Sequence, residues 1–388
     1  MELNYAPPMI EILERLGCYP RYCVWELTLA CNLRCRHCGS FAGEPRADEL
    51  SLDECLRVAG ELADLGCEKV TLSGGEPTLC AHWHEVGRAL TERGVRVNII
   101  SNGWRWTAAH LEQARASGLA NVAFSLDGLE EAHDAVRRAG SFERVVAAID
   151  RSVAAGVLTS VITHINRKNG DSLLDLRRML ADRGVSSWQL QTGNPTGEMS
   201  HHPEMVVAPE DLLWIVPLVA DMRRDQSAGP YVLAADNIGY FGRHEDVLRS
   251  ETDGIPFWIG CRAGCQVIGI ESNGNVKGCL SLPSTRHDED RFVEGNLRES
   301  SLAEIWSRPG AFAYNRRFDV EQLGGFCGVC RYRDICRGGC SWTAFSRTGD
   351  RHDNPFCFYR QAVCAGRMDL LADGDQPSEE ELAWARRG

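Results

Sequence analysis

No run of eighteen apolar residues occurs anywhere in the 388 residues of this chain, so no membrane-spanning helix is expected. The opening stretch, Met1-Glu2-Leu3-Asn4-Tyr5-Ala6-Pro7-Pro8, has neither a basic n-region nor an apolar h-region, so it does not read as a secretory signal. A cytoplasmic protein without membrane contact is the expectation. Positive charge is also short. With 42 Lys and Arg against 54 Asp and Glu, the net charge is −12, which argues against nucleic acid as a partner. Cysteine is absent between Cys80 and Cys261, although the chain holds 17, eight up to Cys80 and nine from Cys261 onward. A disulfide scaffold does not suit a chain of this length with no export signal and an odd cysteine count. Cysteines gathered into two groups read instead as ligands of metals or clusters. At 44% hydrophobic and 25% charged residues, the composition is that of a globular protein large enough for two domains.

The first group contains Cys31-Asn32-Leu33-Arg34-Cys35-Arg36-His37-Cys38, directly after the apolar, strand-like run Val24 to Leu29. Thiolates hold iron–sulfur clusters, and a cubane takes four protein ligands when saturated. Three cysteines spaced by three and two residues can wrap one corner of a cubane, with one iron left open. An open iron is a place for a substrate or cofactor, by the logic that separates catalytic from structural metal sites. A structural zinc site and three unrelated buried thiols are the other readings of these residues.

From Val24 onward, strands and helices alternate, the mark of parallel α/β architecture. A short amphipathic helix, Met9 to Leu16, precedes them. Ser51-Leu52-Asp53-Glu54 is a capping box opening a helix that stops at Gly66. The pattern then gives strand Lys69–Ser73, helix Trp83–Arg93, strand Val95–Ser101, helix Thr107–Ser117 and strand Asn121–Ser125. Helix Ser141–Ala155, strand Val157–Thr163, helix Leu173–Arg183 and strand Ser187–Gln191 complete six strand–helix units, an incomplete barrel. Leu212 to Met222 reads as an apolar helix interrupted by Pro217, and Asp236 to Tyr240 ends a short extended run. Residues carrying chemistry fall at the carboxyl ends of the strands, where barrel-like sheets place their sites. These are Cys31–Cys38, Gly74–Glu76, Asn102, Ser125–Asp127 and Gln191–Asn194.

With Cys31-x3-Cys35-x2-Cys38 following a strand, the chain resembles the radical S-adenosylmethionine (SAM) enzymes, and His37 suits the aromatic-favoured position before the third cysteine. The resemblance implies a curved (β/α)6 partial barrel. It also implies a cluster whose open iron chelates SAM, and reductive cleavage of SAM to a 5′-deoxyadenosyl radical that abstracts hydrogen. Gly74-Gly75-Glu76 is similar to the family's GGE motif, where glycines let backbone approach a ligand and the carboxylate accepts from the SAM ammonium. Ser101-Asn102 and Ser125-Leu126-Asp127 match positions where relatives contact the SAM ribose and carboxylate. The run from Ser125 to Phe142 includes Arg137, a candidate carboxylate or substrate contact.

The second group, Cys261-x3-Cys265-x13-Cys279 followed by Cys327-x2-Cys330-x5-Cys336-x3-Cys340 and Cys357, resembles the SPASM extension, with Gly274-x4-Cys279 matching as well. Ser272-Asn273-Gly274-Asn275 suits that family's β-hairpin. Carried over by motif position, a first auxiliary [4Fe–4S] cluster takes Cys261, Cys265, Cys279 and Cys340. A second takes Cys327, Cys330, Cys336 and Cys357. Two saturated auxiliary clusters bring the total to three and suit electron relay rather than substrate binding. In isolation, a zinc ribbon at Cys327, Cys330, Cys336 and Cys340 is the competing reading. Expected boundaries are 1–20 for an N-terminal helix, 21–208 for the partial barrel, 209–258 for a bridge, 259–371 for the small SPASM domain and 372–388 for an acidic tail.

The resemblance implies an oxidoreductase that modifies a ribosomally made peptide, by cross-linking or residue oxidation. Its alternative is a dehydrogenase acting on a small molecule such as a cyclitol or aminosugar alcohol in natural-product biosynthesis. A mere electron carrier would have no use for a SAM-binding open iron. Implied partners are an external electron donor such as flavodoxin or ferredoxin and, since only about thirty residues precede Cys31, a separate leader-peptide-binding protein. Leu280 stands where sulfatase-maturing relatives carry Asp, which disfavours that activity. Asp236, Glu271 and His164 are candidate bases. His82, His84 and His201-His202 read as packing or loop residues, and Cys18, Cys23, Cys55, Cys67, Cys80 and Cys364 as free thiols.

Overall fold

The computed structural model describes residues 17–225, 227, 229–250, 255–282 and 291–387; the helix expected over Met9 to Leu16 lies outside them. Six parallel strands form the frame: β1 (Tyr22–Thr28), β2 (Lys69–Gly74), β3 (Arg96–Ser101), β4 (Asn121–Ser125), β5 (Thr159–Ile165) and β6 (Ser187–Thr192). Between them run α1 (Leu52–Asp64), α2 (Trp83–Thr91), α3 (Ala108–Ala116), α4 (Glu130–Val136), α5 (Ser141–Ala154) and α6 (Leu173–Asp182). Local chemistry sets their ends. Ser51 Oγ accepts from the Glu54 amide while the Glu54 carboxylate accepts from the Ser51 amide at 2.8 Å, so α1 starts where the capping box predicts. Gly66 follows α1 with φ of +78°, the left-handed turn that stops it. Trp25, Val70, Val97, Val122, Val161 and Trp188 are completely buried along the strands, as sheet covered on both faces requires.

The sheet does not end with the six. β7 (Tyr231–Ala234) adds parallel to β6, and β8 (Val267–Ile270) adds parallel to the other side of β1, with Trp25 paired to Leu72 on one flank and Ile270 on the other. β8 turns back through Gly274 (φ +89°) into β9 (Asn275–Lys277), which pairs with the two-residue β10 (Gly295–Asn296). The expected hairpin is therefore present. The boundary expected at 259 runs through one continuous ten-stranded sheet.

One expectation is corrected. α7 (Leu212–Arg224) runs through Pro217 without a break. Proline removes one helix hydrogen bond at a cost of about 3 kcal/mol. Burial of Leu212, Ile215, Val216, Val219 and Ala220, at roughly 1.5–3 kcal/mol for each large aliphatic, outweighs it. The expected acidic tail ends in a packed helix. Its helix, α11 (Glu379–Ala385), buries Glu381, which accepts from the Arg331 amide at 2.9 Å and the Tyr359 hydroxyl at 3.2 Å, and sets Trp384 edge-on to Phe326.

The cysteine-rich region carries α8 (Leu302–Ser307), α9 (Ser341–Thr348) and α10 (Phe358–Cys364) before that helix. It is tied to the barrel at two places. Arg298 reaches Glu54 at 2.6 Å and the Leu302 amide donates to Glu61 at 2.6 Å. On the far side, Arg347 of α9 donates to Asn194 Oδ1 at 3.1 Å and to the Gly193 carbonyl at 2.7 Å, beyond the end of β6.

Candidate active site

The loop after β1 carries the first three thiols and is pinned at its root. The Cys31 amide donates to the Gly43 carbonyl at 2.9 Å, and the Gly43 amide returns to the Leu29 carbonyl at 2.9 Å. Inside the loop the Cys38 amide donates to the Cys35 carbonyl, and the Leu33 amide points at Cys31 Sγ, 3.4 Å away. Gly74 and Gly75, at the end of β2, pass so close to the loop's base that a Cβ would strike the Thr28 and Ala30 carbonyl oxygens. These glycines allow a close approach, here of one backbone to another.

Cys31, Cys35, Cys38, Gly74, Gly75, Asn102, Ser125 and Arg137 line one cavity at the carboxyl ends of β1 to β4. Glu76 and Asp127 do not line it; they stand behind its wall. The Glu76 carboxylate accepts from the Asn102 amide at 2.7 Å, Ser101 Oγ at 3.0 Å and Thr78 Oγ1 at 2.6 Å, and burial pushes its carboxyl up in spite of these donors. Asp127 meets Arg137 Nε at 2.5 Å and His37 Nε2 at 2.9 Å, and its other oxygen accepts from the His164 amide at 3.0 Å. Burial alone would raise the Asp127 carboxyl; the Arg137 guanidinium and His37 hold it well below the usual carboxylate range. Each carboxylate thus presents its neighbour to the cavity, Glu76 through Asn102 and Asp127 through Arg137.

The donor set suits a sulfur-rich, anion-bearing guest. Arg137 Nη1 lies 3.8 Å from Cys35 Sγ, and Asn102 Nδ2 lies 3.9 Å from Cys31 Sγ. His37 Nδ1 is buried without a hydrogen-bond partner. Burial pushes the Cys35 thiol up to about 12, so it needs a metal to become the thiolate that ligation requires. Among the described residues, no three His, Cys, Asp and Glu side chains converge on a site of single-ion size.

The remaining cysteines fall into two sets. Cys327, Cys330, Cys336 and Cys357 line one pocket with Tyr240, Phe241, Phe326 and Tyr359. Burial drives the Cys336 thiol well up, and Cys357, Cys327 and Cys330 push it the same way. The Tyr332 and Asn354 amides donate to Cys330 and Cys327 sulfurs at 3.4 Å. In the other set, burial raises the Cys340 thiol and Cys261 and Cys279 add to it. Cys265 is pushed up to about 12 by burial, with Cys18 and Cys261 contributing. Cys340, four residues after Cys336, thus faces different thiols. Nothing in the spacing of Cys18 marks its closeness to Cys265.

Of the three candidate bases, Glu271 is occupied, paired to Lys277 at 3.2 Å and Arg46 at 3.7 Å. Burial, with the His37 and Arg137 charges behind it, pushes His164 down to about 3; both its ring nitrogens are buried without partners, and its ring stands edge-on to His37 at 4.9 Å. Asp236 is exposed just past β7 and close enough to Cys279 and Cys340 to raise both thiols after burial and the neighbouring cysteines. His201 ends a short 3-10 helix, Gly197–His201, and His202 follows it, both beside Glu198. Cys23, Cys55, Cys67 and Cys80 are buried free thiols, whereas Cys18 and Cys364 are exposed.

Residues 25–180 match the family model of the radical SAM superfamily, and residues 261–338 match that of SPASM, an iron–sulfur cluster-binding domain. Cys340 and Cys357 lie beyond the second match. The AdoMet-dependent heme synthase of Methanosarcina barkeri is 30% identical over 355 residues, 88% of this chain and 97% of that one. Mycofactocin maturase MftC of Mycobacterium ulcerans is 32% identical over 357 residues, 90% of each chain. Among solved structures, Streptococcus suis SuiB bound to its precursor peptide SuiA superposes with a TM-score of 0.70 at 18% identity, over 89% of this chain and 77% of that one.

Proposed function

Because the chain belongs to the radical SAM superfamily and carries a SPASM domain, we propose that it oxidatively modifies a ribosomally made peptide. The observation that carries this reading is the similarity to a peptide maturase, which runs through both thiol-bearing regions. When bound, an open-iron cluster and SAM supply an electron and a hydrogen-abstracting radical, and two saturated clusters supply a destination for the electron released by substrate oxidation. Cys31, Cys35 and Cys38 would hold the first cluster. Gly74, Gly75, Asn102, Ser125 and Arg137 would seat SAM, with the Arg137 guanidinium suited to a carboxylate. Glu76 and Asp127 fix Asn102 and Arg137 from behind. Cys261, Cys265, Cys279 and Cys340 would hold one auxiliary cluster, and Cys327, Cys330, Cys336 and Cys357 the other. Asp236, near Cys279 and Cys340 and exposed, would be the base that takes the proton a net oxidation releases.

Anaerobic incubation of reconstituted enzyme with SAM, reductant and a peptide encoded beside its gene tests this reading. A mass change in the peptide together with deoxyadenosine is expected; deoxyadenosine with an unchanged peptide counts against it. A second reading, a haem precursor as substrate, is favoured by the heme synthase relatives. It predicts haem absorption when an iron-tetrapyrrole precursor replaces the peptide.

A further inference from the structure

At the mouth of the three-thiol loop the surface carries charge opposite to the chain's excess. Trp104, half-buried two residues past Asn102, has the guanidinium carbons of Arg138 and Arg144 over its ring at 4.4 and 4.3 Å. Arg36 joins them from the thiol loop, its amide donating to the Val136 carbonyl at 2.9 Å, and Arg105 adjoins Trp104. Arg36, Arg105, Arg138 and Arg144 are all exposed. None of them has a carboxylate within ion-pair reach among the described residues. Two cations stacked on one aromatic ring, with two more exposed arginines on the neighbouring backbone, stand out on a chain of net charge −12.

The patch also touches the chemistry. The Trp104 amide donates to Asn102 Oδ1 at 2.9 Å, and Asn102 Nδ2 lies 3.9 Å from Cys31 Sγ. One side chain, that of Asn102, separates the Trp104 backbone from a thiol. Arg137 faces the cavity, whereas Trp104, Arg138 and Arg144 are outside it, on the solvent side of α4 and α5.

We propose that Trp104, Arg36, Arg105, Arg138 and Arg144 form the docking surface for an acidic one-electron carrier protein that reduces the group held by Cys31, Cys35 and Cys38. This rests on the reading of those thiols given above. The carrier gives up one electron and is oxidised by one step, and the group on the three thiols gains that electron. No bond is made or broken, and the partners then separate. Opposed charges speed such an encounter and make it sensitive to salt.

The test follows oxidation of an acidic flavodoxin hydroquinone by the reconstituted holoenzyme in stopped flow. Arg138→Glu with Arg144→Glu should lower the second-order rate constant about tenfold or more at low salt, with the difference closing at high salt. Arg138→Gln with Arg144→Gln should fall between this variant and the parent protein. Deoxyadenosine formation driven by dithionite, a small reductant that needs no dock, should be unchanged in both variants. Equal flavodoxin rates in all three proteins would overturn the proposal. So would a loss confined to processing of an acidic peptide, since the patch would then serve the substrate. Failure of the parent protein to form deoxyadenosine with dithionite would overturn the reading of the thiols themselves, and this proposal with it.

Discussion

Glu76 and Asp127 are legible in sequence as strand-end carboxylates but not as what they are in space. Spacing gives a residue's place on a strand; it does not say which way a side chain turns once neighbouring donors compete for it. Glu76 turns inward to an amide and two hydroxyls, and Asp127 to Arg137, His37 and the His164 amide, so the cavity is left to Asn102 and Arg137. Removing the Asp127 charge should therefore act through Arg137. Asp127→Asn leaves a buried guanidinium uncompensated, a loss of about 3–5 kcal/mol when one partner of such a pair is removed. We expect SAM affinity measured by equilibrium dialysis to fall, with iron content retained. His133 is fully buried, and its Nδ1 accepts from the Asp127 amide at 3.1 Å. Burial, reinforced by the Arg137 charge, pushes it down to about 4, against about 6.5 in an unfolded chain. The unfolded chain then binds a proton that the folded one refuses. Stability is fully present above about pH 6.5 and drops as pH is lowered toward 4, by roughly 2 kcal/mol at pH 5. Denaturation midpoints at pH 7 and pH 5 should show this slope, and His133→Gln should flatten it.

Most elements were legible to within two residues, because glycine stops, capping boxes and alternating apolar runs are local signals. The strand Asn121–Ser125 and the start of α1 illustrate this. What was missed is non-local. Helix α4 is only seven residues long, too short for an apolar period to mark it. The helix through Pro217 survives on packing that no propensity reveals. The extended run before Asp236 and the hairpin around Gly274 are legible, but that β7 and β8 extend the sheet on either side of the six strands depends on partners far away in the chain. Close backbone contact is similarly invisible until the strands are set. At Gly75 a Cβ would press on the Leu29 and Ala30 carbonyls, and overpacking of this kind costs about 1–3 kcal/mol. Gly75→Ala should displace the root of the thiol loop. The expected result is loss of iron from that site alone, read as about four irons fewer per chain, with little change in far-ultraviolet circular dichroism.

At the scale of the molecule, the two cysteine groups noted at the outset become three spatial sets, and chain order does not follow spatial order. Iron analysis of the reconstituted protein should give about twelve atoms per chain; about four with zinc present would remove the two auxiliary assignments. Cys279→Ala should lower iron to about eight and stop substrate oxidation while deoxyadenosine still forms. Full turnover in that variant would sink the idea that electrons leave through this set.

The pairing of Tyr22 with Val267 and of Trp25 with Ile270 also bears on how the protein is made. As the chain leaves the ribosome, β1 and its thiol loop emerge first, yet one edge of β1 has no partner until β8 is synthesised. Throughout that interval an apolar strand with free amides and carbonyls is open to pairing with other nascent chains. Products truncated before Val267 should accumulate as aggregates rather than as a working barrel.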